Sequence, residues 1–571
     1  MAMTRYYLTS VLLCTLLFCP FTPLDAKNRN SDSRKTPDSG KIAAIDSIMQ
    51  MYNNPNGPGA ALAVIENGEI VLTRSWGLAN LEYDIPVTPS TVFHIASVSK
   101  QFTVFAIMLL QEQGKLSLDD DIRKHIPEVP DFGHTITLRH LASHTGGLRD
   151  QWSLLTMSGW RMDDVITTAQ VMKLTSRQKE LNFAPGEEYF YSNTGFTLLA
   201  EVVARVSEKS FAEFCNENIF EPLQMHNTLF YDDHQKIVKN RAYSYQPHGE
   251  GYKKSNLNYA TVGATSLFTT VEDLSLWAMN FQDPKVGTPE IFRIMSTPTV
   301  LNNGEEIEGA LGQFVRNHKG LLLIDHGGAD AGFRTYFGRF PEEDLAVILF
   351  TNMSNADIGL ARDVADLFLA DKITETDKED QPDLSEEITL PIEALDAFTG
   401  LYENNDLPGM LYRVTRKEKR LQLASPGQRP SALLAVTPVI FTTEDKTQII
   451  EFAAAKNENP AMLSMKTGSR VTKATAITPY EFTTEELKQY EGTYYSPELS
   501  TWYDIVWKNE GLKVKHYRLP DFSLTPMTLD TLAGNFRNLA RISFERDEKG
   551  NITGFRSTSG RVQNLWFEKV R

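Results

Sequence analysis

The sequence predicts an α+β domain followed by two small antiparallel β-barrel-like domains, and three observations carry this. Strand-like apolar segments lie at both ends of region 41–372, with helical segments between, so a sheet must join the two ends. That pattern alone fits α+β or α/β. The acidic stretch 372–387, with Pro382, has little to bury and reads as a linker. Beyond it the texture turns to short strands, and an opening motif recurs. Leu395-Asp-Ala-Phe398-Thr-Gly400-Leu-Tyr402 resembles Leu487-Lys-Gln-Tyr490-Glu-Gly492-Thr-Tyr494. The spacing of about 90 residues suits one small closed antiparallel barrel per unit, at 388–478 and 479–571.

The elements follow in order. A helix is expected over 42–52. Apolar runs 60–65 and 70–74 flank Asn67-Gly68, a hairpin signal because both residues tolerate positive φ. Residues 97–113 carry apolar side chains at helical spacing and stop at Gly114. Short or longer helices are expected at 137–143, 198–206, 271–281 and 357–370, and strands at 321–325, 335–340 and 345–351.

The 571 residues are too many for one core. The formal net charge of −16, with no basic block, argues against nucleic acid or anionic lipid as partners. Arg5, the apolar run 8–21 and Ala26 have the layout of a signal peptide over 1–26, cleaved near Ala26. The run is short for a membrane anchor, and Phe18 before Cys19 is bulky for a lipoprotein site. Residues 27–40 read as a disordered leader. An exported protein, periplasmic or secreted, is therefore expected, with no membrane span in its mature chain. Cys215 would be its one cysteine, so no internal disulfide is available.

Three segments could do chemistry. Ser97-Val98-Ser99-Lys100 places a hydroxyl and an amine three residues apart, on one face of a helix start. N–H groups of a first helical turn are unpaired and can stabilise an oxyanion. Tyr191-Ser192-Asn193 offers a phenol that a nearby lysine could activate as a base, and an amide that can both donate and accept. His326-Gly327-Gly328-Ala329 ends a strand with two residues that allow close backbone approach, and Ala329 could supply a second oxyanion N–H. Each pattern alone is weak. Ser176 to Lys179, Tyr52 to Asn54 and Tyr402 to Asn404 match the first two, and Lys466-Thr467-Gly468 matches the third but lies in the β-rich tail, where it reads as a decoy. His140 and His144 are four apart, yet no third metal ligand is evident, so neither metal nor cofactor is expected.

Order and context make the set specific. Phe93-His-Ile-Ala-Ser97-Val-Ser-Lys100, Thr137-Leu-Arg-His-Leu-Ala-Ser-His-Thr-Gly-Gly-Leu148, Phe183-Ala-Pro-Gly through Tyr191-Ser-Asn193, and His326-Gly-Gly through Asn352 follow one another in family order. Over about 41–370 the chain resembles the serine β-lactamase and penicillin-binding protein superfamily, nearest its class C-like branch of carboxypeptidases, esterases and D-aminopeptidases. The resemblance implies a β-lactamase-like antiparallel sheet flanked by helices, with a helical lobe beside it. It implies an acyl-enzyme on Ser97, with Lys100 and Tyr191 moving its proton and Asn193 holding the substrate amide. The N–H groups of Ser97 and Ala329 would form the oxyanion hole, and His326 would stand where many members carry lysine. His326, a pH-dependent donor, and Gly327, with no side chain, depart from a lysine-threonine-glycine site and imply weaker carboxylate binding there. Arg334 could compensate.

Three readings follow. The first is a serine hydrolase acting on small amides or esters, D-amino-acid peptides foremost, as a D-aminopeptidase or DD-carboxypeptidase does. The second is a broad esterase or weak β-lactamase on the same serine. The third is a catalytically silent penicillin-binding-like protein. Oligomeric state and any contribution of the tail to the pocket are not legible.

Overall fold

The computed structural model describes residues 37–258, 260–374, 384, 387–425, 429–454, 461–467, 470–535 and 538–571. The segment read as a signal peptide, most of the leader and most of the linker lie outside the described residues.

The main elements of the first domain are α1 (Ser39–Ile48), β1 (Ala60–Glu66), β2 (Glu69–Trp76), α2 (Lys100–Glu112), α3 (Leu138–Ala142), α4 (Gln151–Met157), α5 (Asn193–Ser207), α6 (Val271–Asn280), β3 (Phe314–His318), β4 (Leu321–Asp330), β5 (Phe333–Phe340), β6 (Leu345–Thr351) and α7 (Leu360–Leu369). The helix α1 starts inside the stretch read as leader, because Asp38 caps it by accepting the Lys41 N–H at 2.9 Å. The six strands form one antiparallel sheet in the order β3-β4-β5-β6-β1-β2, so the first hairpin joins strands from the end of the domain, as expected. Asn67 and Gly68 both have positive φ, the geometry of a two-residue hairpin turn.

Both sheet faces are covered, which is why β1 and β6 are apolar throughout rather than alternating. One face packs on α1 and α7 through Ile45, Val64, Leu349 and Val364. The other packs on α6 and on α2, whose residues Lys100 to Leu110 are all buried. A helix buried all round is a core helix, and α2 is the pillar between sheet and helical lobe. Cys215 is buried in the same core, and burial pushes its thiol well above the ordinary range, the state of an inert cysteine.

The tail forms two antiparallel β units. Strands from Gly400–Asn404 to Arg470–Ile477 close an eight-stranded barrel, and those from Gly492–Ser496 to Val562–Lys569 make a nine-stranded, nearly closed sheet. The repeated motif has one structural meaning in both. A short helix precedes each, and the tyrosine hydroxyl donates to the carbonyl four residues earlier, Tyr402 to Phe398 and Tyr494 to Tyr490, each at 2.9 Å. Lys466 and Thr467 end a strand of the first barrel. Tyr503 is core and Trp502 half exposed, so the tail aromatics split between packing and surface.

Candidate active site

Ser97 sits in a single 3-10 turn, Ala96–Ser99, and the α-helix begins only at Lys100. The helix expected from 97 is present, with its first turn tightened to 3-10. Ala96 takes φ 50°, which tightens the turn and brings Ser97 to the head of α2. Strand β4 closes against this turn. A side chain at Gly328 would collide with Thr335 Oγ1 and the Ile95 carbonyl, so a glycine is needed for the approach. Thr335 Oγ1 donates to that same carbonyl at 2.8 Å.

Lys100 is fully buried beneath the serine. Its Nζ lies 3.2 Å from Ser97 Oγ, 2.9 Å from Asn193 Oδ1 and 2.7 Å from the Ala264 carbonyl. Burial pulls its pKa down to about 7, and the charge of Arg561 pushes the same way. Two of those partners are carbonyl oxygens, which can only accept. A neutral lysine has two N–H groups, so both are taken and its lone pair is left facing the Ser97 hydroxyl.

Tyr191 faces Ser97, but burial holds its phenol above the ordinary range, and the expected activation of Tyr191 by lysine is corrected. It is a protonated phenol, stacked on His144 with ring centroids 4.1 Å apart. His144 Nδ1 accepts the Ser192 N–H at 3.1 Å, so its role is to hold this loop. His140 Nδ1 accepts the Thr137 N–H and caps α3.

Asn193, the first residue of α5, is already engaged. Its Oδ1 accepts from Lys100, while its N–H and Nδ2 donate to Asp150 Oδ2 at 2.8 and 2.7 Å. Asp150, buried at the N-cap of α4, also accepts from the Trp152 and Ser153 N–H groups through Oδ1. Asn193 thus positions Lys100 before any substrate arrives, which the sequence did not indicate. His326 is also different from expectation. It is buried, with a pKa lowered to about 3 by desolvation and then by the Lys100 charge, so it is neutral and not a switch near pH 7. Its Nδ1–H donates to the Gly327 carbonyl at 2.6 Å, leaving Nε2 an acceptor. Arg334 Nη1 donates to the Phe333 and Ala331 carbonyls.

Ser97, Tyr191, Asn193, His326, Gly327, Gly328 and Ala329 line one cleft of about 450 Å³. The lining residues that the sequence did not point to include Thr265, Arg316, Asp330 and Arg561. Asp330 Oδ2 accepts from Thr265 Oγ1 at 2.8 Å and lies 3.1 Å from buried His94 Nε2. Arg561 comes from the second barrel, at a two-residue turn between strands Ile552–Ser559 and Val562–Lys569. Among the described residues no cluster of three metal-ligating side chains occurs.

Fold and cleft together are those of a β-lactamase-like domain. The Beta-lactamase family model matches residues 44–370, and the chain belongs to that family. Among curated proteins it is similar to the D-aminopeptidases of Gluconobacter oxydans (28% identical over 313 residues) and Brucella canis (28% over 311), each match covering 54% of this chain and 58% of the relative. The match thus spans little more than half of either relative's length. Among solved structures it is similar in fold to the octameric penicillin-binding protein homologue from Pyrococcus abyssi, with TM-score 0.54 and 24% identity over 76% of this chain and 99% of that one. Among the described residues no helix is long and apolar enough to cross a membrane.

Proposed function

We propose that this protein is a serine hydrolase that cleaves D-amino-acid peptides or amides through an acyl-enzyme on Ser97. The observation that carries the reading is the buried Lys100, whose Nζ lies 3.2 Å from Ser97 Oγ and is held by two carbonyl oxygens, so that the neutral amine would turn its lone pair to the Ser97 hydroxyl. Ser97 Oγ attacks the substrate carbonyl carbon as its proton passes to Lys100 Nζ. The oxyanion is held by the N–H groups of Ser97 and Ala329. As the C–N bond breaks, the proton reaches the leaving amine through the Tyr191 hydroxyl. Water then adds to the acyl ester by the same relay run in reverse, and the acid departs. Asn193 holds Lys100, and neutral His326 with Gly327 and Gly328 walls the acyl pocket. The D-aminopeptidase names of two relatives support the substrate class.

A fluorophosphonate should label the wild type and leave Ser97→Ala unlabelled; labelling that survives in Ser97→Ala rejects the nucleophile. Among D-amino-acid nitroanilides, nitrophenyl esters and a chromogenic cephalosporin, the D-amides should be the best substrates relative to their uncatalysed rates, and faster turnover of ester or cephalosporin would favour the esterase or β-lactamase reading. Tyr191→Phe should lower kcat about 100-fold, the usual cost of losing a proton-transfer group. Export to a periplasm or medium, with cleavage near Ala26, rests on the apolar run 8–21 and is tested by N-terminal sequencing of the mature protein.

A further inference from the structure

The chain carries a formal net charge of −16, yet the described residues lining the cleft include three arginines, Arg316, Arg334 and Arg561, against one carboxylate, Asp330. Fixed charge in a cleft, not the net charge of the chain, sets the sign of the ligand it concentrates. Two of the arginines are committed to protein partners. Arg316 pairs with Asp325 and Glu308, both at 2.9 Å, and Arg334 donates to two carbonyls of its own hairpin.

Arg561 is arranged differently. Its main chain is pinned from three sides. The Arg561 N–H donates to Ser153 Oγ at 3.1 Å, and its carbonyl accepts from the Asp150 N–H at 3.3 Å and Asn182 Nδ2 at 3.2 Å. Its guanidinium donates no hydrogen bond among the described residues. It lies over the Tyr191 ring, Cζ 4.6 Å from the centroid, and 4.0 Å from Asp150 Oδ2. Asp150 does not use it, since its oxygens already accept four bonds from Trp152, Ser153 and Asn193. The side chain is 46% exposed, so the cation is oriented by ring and field while its N–H fork stays open to the cleft.

We propose that Arg561 is a specificity-determining residue that binds a carboxylate of the substrate. The cleft then selects D-amino-acid derivatives carrying a free carboxylate over their neutral amides. The inference rests on the hydrolase reading above and narrows it toward carboxypeptidase-like substrates. A planar guanidinium meets a carboxylate through two parallel N–H···O bonds, a geometry that a free ammonium group cannot use.

The test is protection of Ser97 from fluorophosphonate labelling by N-acetyl-D-alanine and by N-acetyl-D-alaninamide, on wild type, Arg561→Gln and Arg561→Lys. In the wild type the acid should protect at about tenfold lower concentration than the amide, the size of one charge-assisted contact. Arg561→Gln should bring the two ligands within about twofold, and Arg561→Lys should restore part of the gap. Equal protection in the wild type, protection by neither ligand, or a gap that survives Arg561→Gln overturns the proposal. Should Arg561→Gln fail to fold, the wild-type comparison decides alone. A wild type that shows the gap but hydrolyses no D-alanyl peptide rejects the D-peptide reading and keeps the carboxylate site. Hydrolysis without the gap rejects the carboxylate site alone.

Discussion

The two tail barrels open alike and are used differently. The first has its own closed core, around Leu421, Phe441, Ile450 and Leu463. Its polar tie to the second barrel, Glu403 to Arg541, is spread over 3.3–3.4 Å and partly exposed. Among the described residues the second barrel has no separate core. Its Tyr494, Tyr503, Phe555 and Phe567 form one apolar cluster with Leu154, Leu155 and Met157 of α4. Arg149, fully buried, donates to Glu498 at 2.7 Å and to the Gln563 carbonyl, and Tyr503 Oη donates to the Met157 carbonyl at 2.7 Å. Two units with the same opening motif therefore differ: one has a core of its own, and the other shares a core with α4 and contributes Arg561 to the cleft wall.

Removing one buried ion at the second joint should have the largest effect. Glu498→Ala leaves the buried Arg149 guanidinium with only the half-exposed Glu180 carboxylate at 3.5 Å, a loss of about 3 kcal/mol, the low end for breaking a buried pair, and loosens the turn that carries Arg561. A lower denaturation midpoint with a parallel loss of kcat/KM is expected. Glu403→Gln at the joint between barrels should cost about 1 kcal/mol or less, since partly exposed pairs contribute little, and kcat/KM should not change. Equal costs at the two joints would erase the distinction between the barrels.

Much of this was legible in the sequence, and the reason it stopped is physical. The hairpin at Asn67-Gly68, the pillar helix after Ser97 and the order of Ser97, Lys100, Tyr191 and His326 are local patterns, and local patterns survive projection onto a sequence. The charge states are not local. Lys100 is depressed and Tyr191 raised by burial, which no spacing reveals. Asp150 carried a readable signal, an acidic residue just before a helical run, but only tertiary packing brings Asn193 onto its free oxygen. Ser559-Gly560-Arg561-Val562 is readable as a two-residue turn with glycine first. That its tip would enter a cleft built from the other end of the chain depends on the barrel docking to α4.

The turn itself offers an intermediate perturbation. Gly560 has φ 57°, and a Cβ there would sit 2.8 Å from Ser153 Oγ, the atom that receives the Arg561 N–H. Gly550, in the adjoining hairpin, has φ 83° with nothing within 4 Å. Valine at either position should cost about 1–2 kcal/mol for the left-handed backbone. Only Gly560→Val should also displace the turn and lower kcat/KM several-fold. If both variants lose activity equally, strain in the barrel rather than placement of its tip is responsible.

The smallest expected effect is electrostatic. In the proposed mechanism Lys100 must be neutral to take the Ser97 proton, and burial pulls its pKa down to about 7, so kcat/KM should climb as pH rises through that value and level off above it. Below it the ammonium has no lone pair for the Ser97 proton. After burial, the charge of Arg561 is the next cause holding this pKa down. Arg561→Gln removes that charge, so the protonated form persists to higher pH and the limb must move upward. Glu403→Gln changes a charge at the other joint and should leave the limb in place. Rates measured with a neutral D-amide keep carboxylate recognition out of the comparison. A limb that stays fixed in Arg561→Gln would mean that the second barrel shapes the cleft without acting on its base.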